Sequence, residues 1–290
     1  MKISGTDKQR GNLPDFVTIG ALKCGTTSLH YYLGLHPDIM MSREKELNFF
    51  FVEKGNWHRG IDWYRSHFTE RSALHGETSP RYTYYPMYQG IAGRMYEIIP
   101  GAKLIYILRD PLKQIISNYI QNYSDGREQR SFPDALGNST VDNSYLSCCS
   151  YYMQLEQYFP YYPDNRILVI TLEDLFRDRR GTLSRVFRFL GVDDTFYTPK
   201  FLSVKHTSDT KRQKNRIGML LKRMAESAPA KIVPPEIRLH IGRVLYPPFS
   251  KKIETPRLEG KLRRKVIEYL ADDIKKLREY TGCRFEEWSI

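Results

Sequence analysis

The stretch DFVTIGALKCGTTSLHYYLGLHP, residues 15–37, gathers one lysine, two early glycines and the consecutive hydroxyl side chains of Thr26, Thr27 and Ser28 in a short span. Phe16 to Ile19 form an apolar, β-branched run that ends at Gly20, and Gly25, Thr26, Thr27 and Ser28 then open a helix-like apolar pattern. Gly20 and Gly25 permit a turn whose backbone N–H groups point inward. A helix starting near Thr26 adds unsatisfied donors and the positive end of its dipole, and the hydroxyls add more donors. Such a loop suits a phosphate-like anion; a glycine-rich strand-to-helix turn without a ligand is the plainer alternative. The nucleotide-hydrolysing pattern G-x-x-x-x-G-K-[ST] is nearly met, but Thr26 stands where its lysine belongs and Lys23 lies inside the loop. ATP hydrolysis of the usual kind is therefore not expected.

A second stretch, YILRDPLKQIISNY, puts Arg109 at the end of an apolar run and Pro111 in the first turn of the helix that follows. Open parallel sheets bind ligands at that edge. Ser117 lies two turns into the same helix, so Arg109 and Ser117 could converge on a second anion. Taken alone, an Arg-Asp-Pro turn also serves as a purely structural turn.

Three runs must position these residues: FVTIG at 16–20, KLIYIL at 103–108 and RILVIT at 166–171. Each is nearly continuous in apolar residues, as parallel strands buried on both faces are, and each precedes a helical pattern. The expected fold is α/β, with a phosphate-loop-like central parallel sheet flanked by helices. Leu183, Val186, Phe187 and Leu190 share one face of a later helix that Gly191 should stop. A final helix follows from the stripe Leu258, Leu262, Val266, Leu270, Ile274 and Leu277. No repeat or long linker appears, so the reading is a polar tail at 1–12 and a single domain at 13–290.

Composition supports this. The chain has 290 residues, 41% of them hydrophobic, enough for a substantial core, and a net charge of +12 that favours an anionic partner. Its four cysteines fit neither a disulfide framework nor a zinc site. The start is polar, and no run approaches membrane-spanning length. These features point to a cytoplasmic protein with reduced thiols, no metal and no integral membrane segment.

The lysine-bearing loop, followed roughly 85 residues later by strand-R-D-P-helix-S, resembles the sulfotransferases that use 3′-phosphoadenosine 5′-phosphosulfate (PAPS). LGLHPDI, KELNFF, GIDWY, GETSPRY and RDPLKQIISNY occur in the order seen in the carbohydrate type, especially the heparan sulfate N- and 3-O-sulfotransferases. The resemblance is good over roughly 13–190 and loose beyond. It implies the sulfotransferase fold and PAPS as co-substrate, with 3′,5′-adenosine bisphosphate (PAP) as product and no metal. Lys23, Gly25, Thr26, Thr27 and Ser28 would hold the 5′-phosphosulfate, and Arg109 and Ser117 the 3′-phosphate. Tyr151, in SYYMQLEQYF, would support the same nucleotide. The basic residues around Lys211 and Arg212 match a segment that closes over the adenosine end.

The resemblance also makes Glu46 the general base and Lys23 the cation that offsets charge on the leaving oxygen. Glu44 is the neighbouring carboxylate most easily mistaken for the base, and His75 or His206 would be the fallback. Three departures bear on the acceptor or the loop: Thr78 stands where 3-O-sulfotransferases carry a lysine, Cys24 replaces a small loop residue, and Asn48 replaces a histidine of some relatives. The leading expectation is sulfuryl transfer to a hydroxyl or amine of a polysaccharide or glycolipid. Alternatives are a sulfotransferase for a small natural product or carrier-bound acyl chain, a phosphate-loop nucleotide kinase, and, last, a nucleic-acid-binding protein supported only by charge.

Overall fold

The computed structural model describes residues 13–68, 74–137, 143–203, 212–214 and 250–290. The tail at 1–12, Lys211 and His206 lie outside the described residues, and of Arg212 only its strand is described.

In chain order the first half runs β1 (Phe16–Gly20), α1 (Thr26–Leu33), β2 (Ile39–Met41), α2 (Gly60–Arg65), β3 (Leu74–Thr78), α3 (Ile91–Ile98), β4 (Lys103–Leu108) and α4 (Pro111–Ser124). Short helices α5 (Phe132–Leu136), α6 (Ser144–Ser147) and α7 (Tyr151–Glu156) lead to β5 (Ile167–Thr171), α8 (Leu172–Arg177) and α9 (Arg179–Leu190). An antiparallel pair, β6 (Arg212–Lys214) and β7 (Ser250–Lys252), precedes the long helix α10 (Gly260–Thr281).

The main sheet is parallel throughout, in the order β2-β3-β1-β4-β5. From β1 the chain moves toward β2, and from β4 toward β5, so the strand order reverses between β1 and β4. That reversal opens a crevice at the carboxyl ends of the two strands, where open α/β sheets take ligands.

The sheet is buried on both faces, which is why β1, β4 and β5 read as unbroken apolar runs. Along β4, Leu104, Tyr106 and Leu108 point into one core cluster with α4, α7 and α10, while Ile105 and Ile107 point into a second with α1 and α9. The expected face of α9, Leu183, Val186, Phe187 and Leu190, is buried, and Gly191 ends the helix in left-handed backbone. On α10 the buried stripe is Val266, Leu270, Ile274 and Leu277; Leu258 is buried just ahead of the helix.

Two strands of the sheet were not expected. β2 has only three residues, and β3, LHGET, carries polar side chains that are nonetheless buried. Its polarity is functional in the fold: the Glu77 carboxylate and the Thr78 hydroxyl both have hydrogen-bonding partners in the interior.

Candidate active site

Three sequence-predicted groups come to the carboxyl ends of three adjacent strands. Lys23 lies in the loop after β1, and Arg109 directly follows β4. Glu46 lies over the end of β3, where its N–H donates to the Thr78 carbonyl at 2.9 Å. Because the order is β3-β1-β4 and neighbouring strands are about 4.8 Å apart, the backbone segments that bear Glu46, Lys23 and Arg109 follow one another along one edge of the sheet.

The loop 21–25 is held from beneath and from the side. Ala21 N–H donates to Ile107 O at 2.7 Å, and Gly25 adopts a left-handed conformation at the start of α1. A Cβ on Gly25 would lie 2.4 Å from Leu172 Cδ1, so both backbone angle and space select glycine there. The first bond of α1 runs from Leu29 N to Gly25 O, and helix geometry leaves the N–H groups of the preceding turn facing out of its N-terminus. Thr26 and Ser28 are nearly buried in that turn. Lys23 itself is a non-glycine residue in left-handed backbone, with φ 68°.

Helix α4 ties the two stations together. Asp110 caps it by accepting from Leu112 N at 2.9 Å, and Pro111 fills its first position. Gln114 Nε2 donates to the Leu22 carbonyl at 2.8 Å, and Lys23 Nζ donates to Gln121 Oε1 at 3.1 Å. Gln114, Ser117 and Gln121 fall at helical spacing on one side, so Ser117 sits between the two side chains that grip the loop. The sequence reading missed Gln114 and Gln121; a polar stripe in an otherwise apolar helix was the available signal.

Tyr151 is fully buried. Its hydroxyl lies 2.6 Å from the Arg109 carbonyl, 2.8 Å from Gln114 Oε1 and 3.7 Å from Cys24 Sγ. It braces the Arg109 turn through that carbonyl and the loop through its contact with Cys24. The Cys24 thiol is buried and pushed far above its ordinary pKa by desolvation, so it is a neutral packing group.

On the far side of Arg109 a pocket of about 520 Å³ is lined by Arg109, Lys113, Leu172, Phe176 and Arg177, with Glu173 and Glu287 on its remaining wall. Its size is ordinary for a small-molecule site, which runs about 300–1,000 Å³. Phe176, on α8, is an exposed aromatic there, and it was not among the expected site residues.

On the β3 side, Glu46 pairs with Lys45 at 2.7 Å and is half-exposed. Thr78 is fully buried and its hydroxyl lies 3.1 Å from His30 Nδ1. Burial and the nearby Lys45 lower His30 to about 4, so a neutral imidazole borders this end of the site at neutral pH. Glu44 is exposed, and His75 is buried in the first half of β3, at the strand end away from the crevice. Among the described residues no cluster of three or more His, Cys, Asp or Glu could hold a metal, and no helix is long and apolar enough to cross a membrane.

The chain is similar to known proteins. The chain is 39% identical over 112 residues to the membrane-associated sulfotransferase kil1 of Dictyostelium discoideum, covering 37% of this chain and 22% of that protein. It is 29% identical over 213 residues to human bifunctional heparan sulfate N-deacetylase/N-sulfotransferase 3, covering 64% of this chain and 23% of that protein. The chain thus spans less than a quarter of the length of these relatives. A sulfotransferase from Alicyclobacillus acidocaldarius has the same fold, with a TM-score of 0.68 at 24% identity over 96% of this chain and 99% of that one. The sulfotransferase domain model matches residues 13–225, and the chain belongs to the sulfotransferase domain family.

Proposed function

We propose that this protein transfers the sulfuryl group of PAPS to a hydroxyl or amine of a carbohydrate, with Glu46 as general base. The row of Glu46, Lys23 and Arg109 along consecutive strand ends carries this reading. PAPS would supply the activated sulfuryl group together with a 3′-phosphate by which it can be held. The residues present fit it: a glycine-restricted loop at a helix N-terminus, a lysine within that loop, and an arginine in the lining of a pocket of about 520 Å³.

Lys23, Gly25, Thr26, Thr27 and Ser28 hold the 5′ end. Arg109 and Ser117 hold the 3′-phosphate, with the adenosine end in the pocket toward Leu172 and Phe176. The acceptor then approaches from the β3 side, opposite the departing phosphate oxygen. Glu46 takes the acceptor proton as the nucleophile attacks sulfur, and Lys23, between the two substrates, offsets the charge that grows on the leaving oxygen. The net charge of +12 and the heparan-type relatives support a polyanionic saccharide as acceptor.

Calorimetric titration with PAP, with AMP and magnesium-ATP as controls, tests the nucleotide half of this reading. PAP should bind well above AMP, and Arg109→Ala should weaken PAP by about 10- to 100-fold, as loss of a charge-assisted contact does. Equal binding of AMP and PAP, or binding of magnesium-ATP alone, would overturn it.

A further inference from the structure

Glu46 stands on a segment with two residues in left-handed backbone, Glu46 itself at φ 64° and Asn48 at φ 47°. Side chains with a Cβ disfavour this region, so contacts with the surrounding structure must hold it. Two of those contacts share one origin. Asn48 N–H donates to Ser79 Oγ at 3.1 Å, and Ser79 Oγ–H donates to Glu77 Oε1 at 2.6 Å. Phe49 N–H donates to Tyr82 Oη at 2.9 Å, and Tyr82 O–H donates to the same Glu77 Oε1 at 2.8 Å. The other carboxylate oxygen accepts from the Tyr64 hydroxyl of α2.

Glu77, Ser79, Tyr64 and Tyr82 are all buried. Each of Ser79 and Tyr82 has one proton; having accepted a backbone N–H, it needs an acceptor for its own. An ionised carboxylate only accepts, and it ends both chains without leaving a buried donor unpaired. A neutral acid would have to place its own proton among hydroxyls already arranged as donors toward it.

We propose that Glu77 is a positioning residue for sulfuryl transfer: through Ser79 and Tyr82 it fixes the backbone at Asn48 and Phe49 and so aims Glu46 at the acceptor. This rests on the reading of Glu46 as the base. It also gives a reason for the buried polar residues Glu77 and Ser79 of GETSPRY.

The test compares Ser79→Ala, Tyr82→Phe and Glu77→Gln, each alone and combined with Glu46→Gln. Hydrogen exchange of the peptide spanning 44–52 should quicken about tenfold in the two hydroxyl deletions. It should quicken less in Glu77→Gln, whose neutral oxygen is the weaker acceptor. PAP affinity should stay at the parent value, which also shows that the variants are folded.

Turnover is followed as hydrolysis of radiolabelled PAPS without acceptor. A water oxygen bonds to sulfur as the sulfur–phosphate oxygen bond breaks, giving sulfate and PAP, and the water proton passes to Glu46. Each positioning variant should lower kcat about tenfold in the parent background and cause no further loss beside Glu46→Gln. Unchanged exchange in all three variants, or an equal fall in kcat in both backgrounds, would overturn the proposal. If Glu46→Gln alone turns over like the parent, the general-base reading fails separately, and exchange still decides whether Glu77 holds the segment.

Discussion

At φ 68° and 64°, Lys23 and Glu46 are both non-glycine residues in left-handed backbone, a conformation that costs about 1–2 kcal/mol for a residue with a Cβ. Both are residues to which the proposed chemistry gives a proton or a charge to manage, and strained backbone of this kind gathers where a side chain must be aimed. Glu46→Gln keeps the shape and removes the base, so turnover should fall by about 10²–10⁴-fold with PAP affinity unchanged. Glu44→Gln, at an exposed neighbour, should leave both near the parent values. Steady-state kinetics beside PAP titration separates the two effects. Motif order in the sequence led to Lys23, Arg109 and Glu46 because the residue types and their spacing are visible there. It could not reveal their backbone angles or the Gln121 contact of Lys23, which depend on how α4 lies against the loop. Tyr151 was legible as a residue of interest, but its complete burial and its bond to the Arg109 carbonyl were not, because sequence does not show which buried ring lies against which turn.

Among elements, β1, β4 and β5 were readable because a central parallel strand buries both faces and leaves an unbroken apolar run. β2 and β3 were not, since three residues give no periodicity and β3 buries His75, Glu77 and Thr78 against specific polar partners that pattern reading ignores. The same blindness hides Asp273 on α10. Its carboxylate accepts from Tyr152 N at 3.0 Å and Met153 N at 2.8 Å, joining α10 to the start of α7, where Tyr151 begins its support of the Arg109 turn. Burial raises Asp273 to about 6, despite those two bonds. A carboxyl whose folded pKa is raised binds its proton more tightly when folded. Its favourable contribution is therefore present at low pH and lost as pH rises from about 4 through about 6. Asp273→Asn cannot titrate. In urea unfolding at a series of pH values, stability of the parent minus that of the variant should fall by about 1–3 kcal/mol across that window and stay flat above pH 7.

Across the whole molecule, residues distant in sequence meet at the Arg109 turn. Asp110, already the cap of α4, accepts from Ser289 N at 3.0 Å and Ser289 Oγ at 2.6 Å. Trp288 is buried, stacked on Phe285 with ring centres 4.2 Å apart and set against Tyr151 at 5.7 Å. Glu287 pairs with Arg177 on the wall of the pocket. The segment 285–290 is thus the outer support of a stack that continues through Tyr151 to the Arg109 carbonyl. Nothing in CRFEEWSI announces this, because its partners lie far away in sequence. Trp288→Ala should lower stability by about 3–5 kcal/mol, as deletion of a large buried aromatic does. Measured at a temperature where the variant remains folded, PAP affinity should also fall, although Trp288 is not among the groups assigned to hold the nucleotide. An unchanged PAP affinity in a folded but destabilised variant would show that the segment stabilises the fold without tuning the turn. A joint loss, with Arg109→Ala adding little beyond it, would place Trp288 and Arg109 in one coupled unit.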